Sequence, residues 1–238
     1  MAKLTQRVAD RISAALRKFQ PILDAAKARD INESDTVVIV TDMLQYVLGY
    51  DKYTEITSEF QIRCTYCDLA IKLDGRLALL IEVKAIGLTL KDNHVKQATD
   101  YAANQGCEWV LLTNGVHWQA YKISFGKPIA NELVLDLNLS EMNPKKAADL
   151  EQVWLLSKEG LQKSGLSDYQ AMREALSRFS LAALLLSESV VDVLRRELRR
   201  ITPDARIEED AIRAVLTTEV LKREVLEGER AESARRLV

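Results

Sequence analysis

The chain of 238 residues is short of several things, and each absence narrows its reading. Three cysteines make an odd count with no disulfide framework implied. There is no surplus of basic charge: 33 lysines and arginines face 35 aspartates and glutamates, for a formal net charge of −2. A protein that coats nucleic acid indiscriminately would be strongly basic, so that class is disfavoured, while a locally basic cleft stays open. No apolar run approaches the roughly 18 residues a membrane helix needs; the densest, Leu181 to Leu186, is too short. Met1 to Arg7 lacks the apolar segment of a signal peptide, and a cytoplasmic protein is expected. Internal repeats and low-complexity tracts are missing too. So is a phosphate loop: Gly160 and Gly165 have its spacing, but Leu166 stands where the phosphate lysine is required, and no ATP site is expected.

What is present is an ordinary globular composition, 47% hydrophobic and 29% charged. The length suits one large domain, or a core of about 150 residues with an appendage. Leu4, Val8, Ile12, Leu16, Phe19 and Leu23 recur at helical spacing, predicting a helix over Ala2 to Arg29 that Pro21 kinks or restarts. A second helix begins near Asn32, with Asn32 and Asp35 placed as a capping pair; its stripe is Val37, Val40, Leu44 and Val47 or Leu48, and Gly49 ends it. The period then falls to two. Strands are predicted over Tyr53 to Arg63, Asp68 to Leu73 and Leu77 to Ile86, followed by a helix over Lys91 to Gln105. A hairpin around Asn114-Gly115 joins Cys107 to Thr113 with Val116 to Ile123, and Leu133 to Leu139 adds one more strand. After Pro144 the pattern is helical throughout, with helices predicted over Pro144–Gln162, Asp168–Ser177, Ser180–Arg200 and Glu208–Glu227. The fold class is therefore α/β, a mixed sheet in the order helix, three strands, helix, two or three strands. Three regions are expected: an N-terminal helical arm (1–30), the α/β core (31–142) and a C-terminal all-helical region (143–238).

The hairpin from Asp68 to Ala85 carries the chemistry. Leu69, Ile71 and Leu73 share one face of its first strand, leaving Asp68, Ala70 and Lys72 on the other. In the second strand Leu77, Leu79, Ile81 and Val83 share a face, opposite Leu80, Glu82 and Lys84. The two apolar faces coincide only with an odd loop. A three-residue loop, Asp74-Gly75-Arg76, sets Leu73 opposite Leu77 and Asp68 opposite Glu82; a two-residue loop would set Asp68 opposite Ile81. Two facing carboxylates repel and are tolerated when a cation sits between them. Carboxylate oxygens suit Mg²⁺, which polarises phosphoryl oxygens and activates water. Lys84 could orient or deprotonate that water, or neutralise charge on the phosphate.

Asp68, thirteen residues and then Glu82-Val83-Lys84 resembles the PD-(D/E)XK nuclease motif. More narrowly, the chain is similar to the N-terminal nuclease domain of type I restriction enzyme R subunits. Gln97 and Tyr101 supply the Q-x-x-x-Y of that branch, and Glu33 begins a helix leading into Leu48-Gly49-Tyr50-Asp51. The similarity spans about residues 30 to 125. It departs where Cys67 replaces the proline of the family name, and these 238 residues hold no phosphate-loop motif of the helicase motor that R subunits carry. The resemblance implies a restriction-endonuclease-like core, Mg²⁺ or Mn²⁺ as cofactor, and DNA phosphodiester hydrolysis by an endonuclease in prokaryotic restriction or antiviral defence. It implies catalytic roles for Asp68, Glu82, Lys84, Gln97, Tyr101 and Glu33. The metal would sit on Asp68, Glu82 and the Val83 carbonyl, with Glu33 as a third acidic group, or Asp35 if the helix is rotated. The residues themselves agree: Gln97 and Tyr101 lie on one helical face with His94, suited to a phosphate, while Val95, Ala98 and Ala102 are left to pack on the sheet.

Each feature also has a plainer explanation. Asp68, Glu82 and Lys84 could form a cross-strand salt-bridge network. Gln97 and Tyr101 could be a polar helix face, and Glu33 favourable first-turn charge. Cys64 and Cys67 are a lone C-x-x-C, read as thiols and not as a zinc site. Arg195, Arg196, Arg199 and Arg200 complement a helix dipole or contact backbone phosphates. Trp109, Trp118 and Trp154 are expected in the core or an interface. The C-terminal helices, through Leu181, Leu184, Leu185, Val191 and Leu194, offer a surface for a homodimer or protein partner. The rival to catalysis is a nuclease-fold module that binds nucleic acid or a protein without cutting.

Overall fold

The helical spacing of the N-terminal segment is realised as one helix, α1 (Gln6–Ala28), in the computed structural model. The structure describes residues 3–62 and 65–238, and of the side chains at 59–66, 92 and 97 nothing is described. Pro21 lies inside α1 without ending it, which corrects the expected restart. The buried stripe Val8, Ile12, Leu16, Phe19 and Leu23 runs along α1 on both sides of Pro21, so tertiary packing holds the helix through its missing N–H. Helix α2 (Glu33–Tyr46) starts where Asn32 Oδ1 accepts the Asp35 N–H at 2.9 Å. Its buried side is Val40, Met43, Leu44 and, past its end, Val47 and Leu48. Gly49, at φ +83°, turns the chain away.

Six strands follow in one sheet: β1 (Ile56–Ile62), β2 (Thr65–Leu73), β3 (Arg76–Val83), β4 (Trp109–Thr113), β5 (His117–Ser124) and β6 (Ala130–Asn138). They lie in sequence order. All neighbours are antiparallel except β3 and β4, which are parallel and joined through α3 (Asp92–Gln105). A parallel pair needs such a crossover. Gly106 closes α3 in the left-handed conformation, φ +65°. The sheet is therefore mixed and the architecture α/β, as the pattern of elements implied.

The β2–β3 connection corrects the expected loop. The turn has two residues, Asp74-Gly75, both at positive φ (50° and 76°), and Leu73 pairs with Arg76. Positive φ at both positions is the hairpin turn that Asp-Gly favours. An irregularity then shifts the register: Lys72 pairs with Leu77 but Ile71 with Leu79, so Ala78 is the extra residue of a bulge. Beyond it Ala70 pairs with Leu80 and Leu69 with Ile81. The bulge does what the odd loop was expected to do, and it turns Leu77 over. Leu77 packs with Ala70 and Leu80 instead of sharing a face with Leu79 and Ile81.

Every residue of β4 and the last five of β3 are buried, which requires cover on both sides of the sheet. On one side α3 supplies Val95, Ala98 and Ala102 against Ala70, Leu80, Val110 and Leu112. The other side is met by α2, which contacts β3, with α1 packed against α2.

The chain divides into two compact units, residues 1–168 and 169–238, with the division inside α6 (Gly165–Ala175). In the first unit α4 (Ala147–Leu155) packs on α1, and α5 (Lys158–Gln162) follows. The second unit holds α7 (Arg178–Leu186), α8 (Glu188–Ile201), α9 (Glu209–Val215), a π-helical turn at Leu216–Val220, a 3₁₀ turn at Arg223–Val225, and α10 (Glu229–Leu237). Three long helices of the sequence reading are thus broken. Serine is the physical reason at the first break: Ser157 accepts from the Gly160 N–H and caps a new helix. Among the described residues no helix is long and apolar enough to cross a membrane.

Candidate active site

Asp68 stands on β2 between Cys67 and Leu69, next to the pairing of Leu69 with Ile81 of β3. Its Oδ2 accepts the backbone N–H of Val83 at 2.7 Å. This bond crosses from β2 to the end of β3 and fixes the carboxylate beside Glu82. Glu82 is 4% exposed. Its Oε1 meets Lys84 Nζ at 2.7 Å, while its Oε2 is buried with no hydrogen-bond partner. Lys84 Nζ also lies 3.4 Å from Glu33 Oε2, at the first turn of α2. The Lys84 N–H donates to the Thr113 carbonyl at 2.8 Å, so the parallel ladder with β4 holds the lysine's backbone.

The electrostatics follow from burial. Desolvation raises both Asp68 and Glu82 above the ordinary carboxylate range, against the Val83 hydrogen bond on Asp68 and the Lys84 bond on Glu82. The charge of Asp68 adds to the rise at Glu82, and that of Glu33 to both. For Lys84 burial acts downward, but its bond to Glu82 and the charges of Glu82, Glu33 and Asp68 outweigh it and hold the ammonium above its usual value. Burial, with the nearby charges of Glu82 and Asp68, pushes the Cys67 thiol up to about 12. Cys67 is therefore an inert buried thiol, as is Cys107. Cys64 lies outside the described residues.

A cleft of about 230 Å³ opens beside this group, lined by Glu33, Ser34, Val37, Ser58 and Asp68. Glu33, and not the fallback Asp35, is the α2 carboxylate within reach of Lys84. The structure thus brings Asp68, Glu82, Lys84 and Glu33 together. Tyr101 lies in the apolar cluster beneath α3, 6% exposed. Gln97 is on the same helix, and its side chain lies outside the described residues. His94 Nδ1 accepts the Lys91 N–H at 3.2 Å and serves the start of α3.

In the second unit the arginine stripe has partners of its own. Arg195 pairs with Asp192 and Glu209, Arg196 with Asp192, and Arg200 with Glu197, while Arg199 donates to the Ile207 carbonyl. Of the apolar residues expected at a docking surface, Leu181 and Leu184 are exposed and Val191 is buried. Trp109, Trp118 and Trp154 are all buried.

Three contributors escaped the sequence reading. The Val83 N–H, as the anchor of Asp68, has no side-chain signature; only the carboxylate's position at the end of the pairing with β3 could suggest it. Ser34 and Ser58 line the cleft but belong to no motif.

Divalent metals of the Mg²⁺ type take hard oxygen ligands and keep several waters. Among the described residues no three His, Cys, Asp or Glu side chains converge as a ready ligand group. Two carboxylates with substrate and water oxygens suffice for such an ion, and the partnerless Glu82 Oε2 is the kind of atom a cation satisfies. The donor set of Asp68 and Glu82 therefore fits Mg²⁺ or Mn²⁺.

An α/β domain with a buried glutamate, a half-buried aspartate and a lysine at the end of one strand is the class defined by this geometry. Residues 35–134 match the family model described as the type I restriction enzyme R protein N terminus, and the chain is similar to that domain over this segment. No curated protein matches, and no solved structure matches. The matched segment contains Asp68, Glu82, Lys84, Gln97 and Tyr101, and begins two residues after Glu33.

Proposed function

We propose that the chain is a metal-dependent nuclease that hydrolyses phosphodiester bonds in DNA, acting as an endonuclease in a prokaryotic restriction or defence system. The observation that carries this reading is Glu82, a buried carboxylate with one oxygen on Lys84 and the other without a partner, held beside Asp68. A second carboxylate, half-buried beside it, raises the cost of that charge, which a network built only for stability would avoid. The match of residues 35–134 to a restriction-enzyme domain supports the same reading.

Mg²⁺ or Mn²⁺ held by Asp68, Glu82 and the Val83 carbonyl would polarise a phosphoryl oxygen and lower the pKa of a bound water. The chain's own residues then do the following. Val83 N–H fixes the Asp68 carboxylate, so its geometry is set before substrate arrives. Lys84 keeps its proton on Nζ, because three carboxylates stabilise the ammonium. As an ammonium it can neutralise negative charge developing on the phosphate. Glu33 shares Lys84 with Glu82 and sets the direction of the ammonium. The cleft lined by Ser34 and Ser58 admits the scissile strand.

The test is incubation of the protein with supercoiled and single-stranded DNA in Mg²⁺, Mn²⁺ or EDTA. Strand scission that requires metal supports the reading. DNA binding with no scission under any metal would replace it with a non-cutting, nuclease-fold binding module.

A further inference from the structure

A second cleft lies in the first unit at the start of α1, roughly 30 Å along the helix from the end that leads into Glu33. It encloses about 550 Å³, within the range of small-molecule sites. Val8 and Trp154 give it an apolar floor, and Arg7, Arg11 and Lys163 stand around it with one carboxylate, Glu159. None of these residues falls in the segment that matches the restriction-enzyme domain.

The charges do not cancel. Arg11 takes up Glu159 through two contacts, Nη1 to Oε1 at 2.6 Å and Nη2 to Oε2 at 2.7 Å. Arg7 and Lys163 form no ion pair among the described residues. The lining therefore carries three cations against one anion. Arg11 is also fixed in place: its Nη2 reaches the Leu48 carbonyl at 3.4 Å, and its guanidinium passes over Gly49, where a Cβ would fall 2.6 Å from Cζ. Its Nε is buried and makes no hydrogen bond. With the Arg11 charge met by Glu159, Arg7 and Lys163 are the two exposed cations left for a group of more than one negative charge, and the apolar floor suits a ring or sugar attached to that group.

We propose that this cleft binds a phosphate-bearing ligand, with the phosphates between Arg7, Arg11 and Lys163 and the apolar part against Val8 and Trp154. The site is separate from the acidic pair and does not rest on nuclease activity. The phosphate comes either from a free nucleotide or from a nucleic-acid strand.

The experiment is calorimetric titration of the whole protein with ADP and, separately, with 5′-phosphorylated oligothymidylate, in EDTA and at low salt. The wild type is compared with Arg7→Glu/Lys163→Glu and with the milder Arg7→Gln/Lys163→Gln. Both substituted positions are exposed, so folding is expected to survive. ADP binding that weakens at least tenfold in the double glutamate variant, and less in the glutamine variant, assigns a free nucleotide. Binding of the oligonucleotide alone, weakened in the same order, assigns a strand. No binding of either probe by the wild type, or affinities unchanged in both variants, overturns the proposal. Mn²⁺ binding at Asp68 and Glu82 is measured in parallel and is expected to stay unchanged.

Discussion

Lys84 Nζ stands 2.7 Å from Glu82 Oε1, and the other oxygen of the same carboxylate is buried without a partner. The pair is only half satisfied within the protein. That arrangement is costly in a fold and useful in a site, because the unmet oxygen is available to a cation.

Asp68→Asn separates the two effects. Asparagine keeps an acceptor for the Val83 N–H and removes one buried charge beside Glu82. Thermal unfolding in EDTA should show a variant at least as stable as the wild type. Adding Mn²⁺ should raise the wild-type Tm, since a ligand bound only to the folded state stabilises it, and should leave the variant unmoved.

The pH dependence has a definite sign. Asp68 and Glu82 are raised by burial, so the metal-free folded state holds their protons more tightly than the unfolded chain does. These groups therefore make the metal-free protein less stable as pH rises from the ordinary carboxylate range, about 4, through their raised values. Metal binding needs both deprotonated and runs the other way, weakening as pH falls through the same window. Tm measured across pH with EDTA and with Mn²⁺ should give two curves that converge at the acid end.

Lys84→Met leaves Glu82 charged and buried with no partner. Removing one member of such a pair costs about 3 kcal/mol or more, and part of the loss should return at acid pH as Glu82 protonates. DNA cleavage should fall by about 100-fold or more, the scale of a lost electrostatic donor. Denaturant melts at two pH values, beside a cleavage assay, check both.

Glu33→Gln and Asp35→Asn form a matched test of the third acidic group. Glu33 is half exposed, so its pairing with Lys84 is worth little in stability, under about 1 kcal/mol. Glu33→Gln should lower the cleavage rate with little change in Tm, whereas Asp35→Asn should alter neither.

Asn114 holds the loop that follows Lys84. Its Nδ2 donates to the Ile86 and Leu88 carbonyls, and its Oδ1 accepts from the Val116 and His117 N–H groups. Asn114→Ala strands four backbone groups and should cost about 3 kcal/mol, several lost bonds at about 1 kcal/mol each. Urea unfolding measures it.

The elements around the site were legible because their signals are local. Asn32 caps α2, Gly106 closes α3, and Asp74-Gly75 turns the hairpin, each by chemistry that a few residues decide. The loop length was misread because a bulge at Ala78 leaves no mark in an apolar run. The register beyond it, with Ala70 on Leu80, nevertheless matched the pleat alternation. The long C-terminal helices were misread for a related reason. Ser157 interrupts a pattern whose apolar period continues across it, and periodicity alone does not see a cap. At the site, Asp68, Glu82 and Lys84 could be named from spacing, but the Val83 anchor is a backbone atom and had no residue type to announce it.

The most direct measurement is cleavage of closed circular DNA in Mn²⁺ by the wild type, Glu82→Gln and Lys84→Met, each shown to be folded by circular dichroism. The expected result is nicking by the wild type that EDTA stops and that neither variant supports. Nicking that persists in folded Glu82→Gln at the wild-type rate would contradict the assignment of the acidic pair as the nuclease site.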